Sequence, residues 1–146
     1  MVDLEVGHVL SILLRFNNQG DKAKERHPCL IVAIHKELKA VEIVQLNSLK
    51  GKEHKAFNKY NKVILHTNPD EIVIDKDSFA QLSNRFTIAW FPGLVNYRRQ
   101  PDKLSETKLE SVIRAYRDYH RKNQIDENKI VHMDELEITE LNAEKE

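Results

Sequence analysis

From Gly7 to about Trp90 the chain alternates short apolar runs with polar, turn-forming stretches. Residues 8–16 form an apolar run of strand length. Asn17-Asn18-Gln19-Gly20-Asp21 then reads as a turn, and residues 22–27 as a charged loop. Residues 28–35 are a second run, whose β-branched side chains favour a strand over a helix. Residues 41–46 are a third. The Lys-rich stretch between Asn47 and Asn61 reads as a loop. Residues 63–66 and 72–74 read as short strands on either side of a turn at Asn68-Pro69-Asp70, and residues 86–90 close the set. Short strands at this spacing predict a mainly β domain, a barrel or a sandwich.

After Leu104 the period changes. Ser105 is a good N-cap, Glu106 suits the positive helix end, and Leu104 can staple onto Leu109. Leu109, Val112, Ile113, Tyr116 and His120 then fall on one stripe, so a helix over 105–122 is expected to pack on the strands. Arg114, Arg117, Arg121 and Lys122 lie off that stripe. The α+β chain thus divides into residues 1–122, a β domain with its closing helix, and a tail over 123–146. In the tail, Ile130-Val131-His132-Met133 and residues 136–141 show some alternation. The tail either adds a strand or stays a mobile end.

Charge sharpens this division. The 146 residues carry 23 basic and 23 acidic side chains, yet residues 124–146 hold eight of the acids against Lys129 and Lys145. The body is therefore basic and suits a polyanionic partner, and the acidic tail could compete for the same surface; both charge blocks could equally be ordinary solvated charge. No apolar run is long enough to span a membrane, and the start lacks the basic region of a signal peptide. The single cysteine, Cys29, lies in an apolar run and reads as a buried small hydrophobe. A cytoplasmic, reducing setting is expected.

Few chemistries remain. The seven histidines are scattered without metal-ligand spacing, and there is no phosphate-cradling glycine loop and no GxSxG elbow. Neither metal nor cofactor is expected. One loop-to-strand junction, Lys22-Ala23-Lys24-Glu25-Arg26-His27-Pro28, gathers positive charge ahead of a buried strand. An arginine there could grip a phosphate, and a histidine could move a proton near neutral pH. The plain alternative is a solvated loop.

Gly7-His8-Val9-Leu10 resembles the opening strand of MazF/PemK-like toxins. Arg26-His27-Pro28-Cys29-Leu30-Ile31-Val32 resembles that family's Arg-Pro pair and following strand. Residues 41–48 resemble the next strand, which ends in Thr or Ser. Ile74-Asp75-Lys76-Asp77-Ser78 and Lys103-Leu104-Ser105 resemble the approach to the last strand and the closing helix. The likeness covers roughly residues 5–122 in consistent order and leaves the tail outside. It implies an SH3-like β-barrel, a homodimer, that cleaves single-stranded mRNA without a metal through its 2′-hydroxyl, leaving a cyclic phosphate, and that is neutralised by a cognate antitoxin protein.

Carried onto this chain, the resemblance places Ser48 at the strand-end hydroxyl and Arg26 or His27 at the phosphate-binding arginine. The family sets Arg directly before Pro, where His27 stands here. A strand beginning at His27 would turn Arg26 away, whereas an irregular 25–27 loop would let Arg26 reach. Ser48 could equally close its strand into the next turn. Lys22, Lys24, Lys50, Lys52, Lys55, Phe57 and Lys59 are the expected RNA contacts, lysines on phosphates and an aromatic ring on a base. Two rivals stay open: a toxin of the same fold that binds a protein target, and a module that binds nucleic acid without cutting it.

Overall fold

One long strand, Ala40–Ser48, organises the chain because both of its edges are paired. The structure, a computed structural model, describes residues 4–22, 25–57 and 59–143, with the backbone alone for residues 55 and 56. In chain order the elements are β1 (Val9–Ile12), β2 (His27–His35), β3 (Ala40–Ser48), α1 (Glu53–Ala56), β4 (Asn61–Ile64), β5 (Ser78–Gln81), β6 (Arg85–Ala89), α2 (Glu106–Lys122), β7 (Ile130–Met133) and α3 (Glu135–Ala143). Short 3-10 turns lie at Pro92–Tyr97 and Glu127–Lys129.

β3 runs antiparallel to β2 along one edge, with a register shift between Ile31 and Ala33. Along its other edge it changes partner. Residues Ala40 to Ile43 pair with β6, and Leu46 to Ser48 pair with β5. β1 continues the sheet beyond β2, and β4 continues it beyond β5. β7 joins β6 in parallel. The result is a mainly antiparallel seven-stranded α+β fold.

Alternation along the strands sends apolar side chains to two cores. Leu10, Ile12, Cys29, Ile31, Val41 and Ile43 face one, together with Phe86 and Ile88. Val9, Leu30, Val32, Val44 and Leu46 face the other, where α2 lays down Val112 and Tyr116 with Leu109 and Ile113 beside them. Full burial of Val112 contributes about 1.5–3 kcal/mol to holding α2, and Tyr116 with the half-buried Leu109 and Ile113 adds to it. Ser105 takes the N-cap position of α2 but its hydroxyl makes no capping bond. Glu71 accepts its backbone N–H instead, at 3.0 Å, and also binds Lys108 Nζ.

Three expectations change. Residues 72–74 form no strand, because Val73 and Ile74 are buried as loop residues under α2 and the ladder is built by Ser78–Gln81. The Lys-rich stretch after Ser48 carries the short helix α1. The tail supplies β7 over Ile130–Met133, but residues 136–141 are helical in α3. Val131, Met133 and Ile138 are all at most 1% exposed within the first core, so residues 130–143 complete it. Gly7, at φ +103°, donates to Ile31 O and accepts from Leu104 N, both at 2.9 Å. The positive φ strains any side chain there, and a Cβ 3.0 Å from Leu109 Cδ2 would also require the leucine side chain to give way. Among the described residues no helix is long and apolar enough to cross a membrane.

Candidate active site

At the end of the sheet where β2 starts and β3 stops, a cleft of about 440 Å³ opens. β1 and β2 pair Ser11 with Pro28 and Ile12 with His27, and β3 and β5 pair Ser48 with Ser78. This register brings Arg26, His27, Ser48 and Lys52 onto one cleft, which Asp75, Lys76 and Arg99 also line. Four residues singled out from the sequence thus line one cleft.

Their environments differ. β2 begins at His27, the arrangement expected to turn Arg26 away, yet Arg26 still lines the cleft. The Arg26 guanidinium donates to the backbone carbonyl of Asn142 at 3.2 Å and stands 5.9 Å from the centre of the Tyr97 ring. His27 is half-buried, 6.4 Å from the Phe16 ring centre. Burial pushes its pKa below the ordinary imidazole value; the Glu25 charge opposes this and the Lys52 charge adds to it. His27 is therefore neutral at pH 7 and able to take a proton. Ser48 is half-buried, and its hydroxyl has no hydrogen-bond partner among the described residues.

The cleft is electropositive. Arg99 pairs with Asp75 at 3.3 Å. Arg26, Lys52 and Lys76 have no carboxylate partner among the described residues, so three cations face Glu25 alone. Lys22, Lys50, Phe57 and Lys59 do not line this cleft. Lys22 is exposed and pairs with Arg15 across the 17–21 turn. Lys50 is exposed and Phe57 is 69% exposed. Lys59 Nζ lies 5.2 Å from the centre of the Tyr60 ring. Lys24 lies outside the described residues, and Lys55 sits in α1.

Cys29 is fully buried, and burial drives its thiol pKa far up, so it is inert as a nucleophile. Among the described residues no group of three His, Cys, Asp or Glu side chains is placed to hold a metal ion.

A second polar cluster escaped the sequence pattern. Glu42, 7% exposed in mid-strand, receives Tyr116 O–H at 2.8 Å on one oxygen. Its other oxygen meets His35 Nε2 at 2.8 Å and Arg85 at 3.7 Å. Burial pushes the Glu42 carboxyl up, but the His35 and Tyr116 bonds and the Arg85 charge outweigh it and hold the pKa below the ordinary value. The only sequence signal was an acid inside the apolar run Val41-Glu42-Ile43. Arg99 and Lys76 were missed as site residues for another reason: the loops that carry them meet the cleft only through the tertiary fold.

No protein-family model and no curated protein matches this sequence. The site geometry and the motif resemblance therefore carry the functional reading.

Proposed function

We propose that the protein is a metal-independent endoribonuclease acting on single-stranded mRNA, with an SH3-like barrel of the MazF/PemK toxin type. The observation that carries this reading is the convergence of Arg26, His27, Ser48 and Lys52 on one electropositive cleft. The change of partner along β3, with β6 on its first half and β5 on its second, supports the barrel.

In the proposed reaction neutral His27 takes the proton of a ribose 2′-hydroxyl, and that oxygen attacks the adjacent phosphorus. Lys52 and Arg26 stabilise the charge growing on the phosphorane, with the Ser48 hydroxyl donating to a non-bridging oxygen. The bond to the 5′-oxygen breaks, that oxygen takes a proton from solvent, and a 2′,3′-cyclic phosphate and a 5′-hydroxyl end remain. The same reading includes a homodimer and a cognate antitoxin protein that blocks the cleft.

End-group analysis of RNA fragments tests it, with cyclic phosphate and 5′-hydroxyl ends as the expected products. A second reading follows from the Arg26 guanidinium, which is held by Asn142 and Tyr97 rather than left free. In that reading the protein binds RNA without cutting it. Retained, salt-sensitive RNA binding with no fragments would establish it.

A further inference from the structure

The face of β3, β5 and β4 that turns away from α2 is unusually rich in amides. Register places Asn47 opposite Phe79, Phe79 opposite Val63, and Gln81 opposite Asn61. Directly opposed residues share a face, and so do residues two apart on a strand, so all five stand on the same side. A cleft of about 480 Å³ opens over them, within the range of small-ligand sites. Phe79, only 6% exposed, is its apolar floor. Lys52 and Lys129 stand on its rim, and no carboxylate lines it. Asn47 and Lys52 line this cleft and the catalytic one alike, so the two are contiguous.

Neighbouring amides hold Asn47 and Gln81. Buried Gln45 donates through Nε2 to Asn47 Oδ1 at 3.1 Å. Gln81 Nε2 donates to Oδ1 of buried Asn84 at 3.3 Å, and Asn84 in turn donates to Phe16 O at 2.9 Å. This leaves Asn47 Nδ2 as a donor and Gln81 Oε1 as an acceptor, neither with a protein partner among the described residues. A site for phosphate alone has no use for an acceptor. A nucleobase edge offers both a donor and an acceptor, and side-chain amides match it.

We propose that this cleft is a nucleobase subsite that sets sequence preference. One base of a single-stranded RNA lies on Phe79, accepts from Asn47 Nδ2 and donates to Gln81 Oε1. The phosphates on either side meet Lys52 and Lys129. The proposal rests on the ribonuclease reading for its RNA, but its test does not need cleavage.

The test uses the full chain and 2′-O-methyl oligoribonucleotides, which cannot form a cyclic phosphate. Binding is measured for oligonucleotides that differ at one position, in all four bases and as an abasic nucleotide, with wild type, Asn47→Ala and Gln81→Ala. Thermal unfolding confirms that each variant is folded. Wild type is expected to bind the best base at least tenfold more tightly than the abasic probe, and each variant to flatten that difference while keeping the salt dependence. Equal affinity for all five probes, or discrimination unchanged in both folded variants, overturns the subsite. Cutting of ordinary RNA is read separately. A protein that cuts but does not discriminate loses the subsite and keeps the ribonuclease; one that discriminates but never cuts keeps the subsite and loses the ribonuclease.

Discussion

The guanidinium of Arg26 donates to the backbone carbonyl of Asn142 across 3.2 Å, tying the loop before β2 to the last turn of α3. The carbonyl end of a helix is a favourable place for a cation. The Asn142 side chain, fully buried, accepts from Leu13 N at 2.7 Å and donates to Ile138 O at 2.9 Å and Leu13 O at 3.4 Å. The tail thus anchors a cleft residue. Asn142→Leu strands the Leu13 N–H in the core and is expected to cost about 1–3 kcal/mol. Urea unfolding checks this; an unchanged midpoint would show that the clip carries no stability. Deleting residues 130–143 removes Val131, Met133 and Ile138 from the core, so that deletion tests stability before it tests RNA affinity.

Tyr116→Phe removes the hydroxyl that binds Glu42 without changing the packing of α2. A hydrogen bond to a charged group contributes about 1.5–3 kcal/mol, and that loss is expected in thermal unfolding at pH 7. Because the Glu42 pKa is held low in the folded state, its contribution is present above the ordinary carboxyl range and lost as pH falls. The variant should therefore lose less stability than wild type on acidification below about pH 4.3. Parallel acid profiles would contradict the role given to this bond.

Three histidines, His8, His27 and His120, have pKa values lowered chiefly by burial. His8 Nδ1 accepts from Glu5 N at 2.9 Å while Nε2 donates to Pro101 O at 3.1 Å, an arrangement that requires the neutral ring. The unfolded chain protonates these rings near pH 6.5 and the folded chain only at lower pH, so stability rises with pH between the folded and unfolded values. Urea midpoints measured between about pH 7.5 and 5 are expected to fall steadily towards acid. A flat profile over that range would mean that the rings titrate alike in both states.

The His120 ring lies tilted against Tyr116 with centroids 4.3 Å apart; neither ring nitrogen makes a well-aligned hydrogen bond among the described residues, and the Leu82 backbone only partly offsets the lowering of its pKa by burial. Phenylalanine keeps the tilted ring contact and removes two buried polar atoms that lack a well-aligned partner. His120→Phe is expected to raise stability by about 1 kcal/mol and to flatten the pH profile. A less stable variant would reveal a partner for the ring.

Much of the fold was legible because alternation and helical spacing are local. The runs at 28–35, 41–46 and 86–90 became β2, β3 and β6, and the stripe from Leu109 to Tyr116 packs as its period required. The 72–74 run misled because apolar residues can be buried by a loop as well as by a strand. α3 was hidden because its alternation imitated a strand, and its burial depends on Leu13, far away in sequence. In the site, the charge of the 22–28 junction and of the Lys-rich stretch drew attention to Arg26, His27 and Lys52, while Ser48 was picked out only through the family resemblance; the structure places all four on one cleft. The anchoring of Arg26 by Asn142, the place of Arg99 in the cleft and the amide face around Phe79 arise from strand register and tertiary contact, which no local pattern encodes.

The most direct test of the central claim is cleavage of a long single-stranded RNA by the purified protein in excess EDTA, beside a folded Arg26→Ala/His27→Ala/Ser48→Ala variant. Removing a general base alone lowers such a rate by about 10²–10⁴-fold, so the triple variant is expected to be inert. Discrete fragments with cyclic phosphate ends from wild type only are the expected result. Intact RNA from folded wild type, or equal cutting by the variant, would contradict the account.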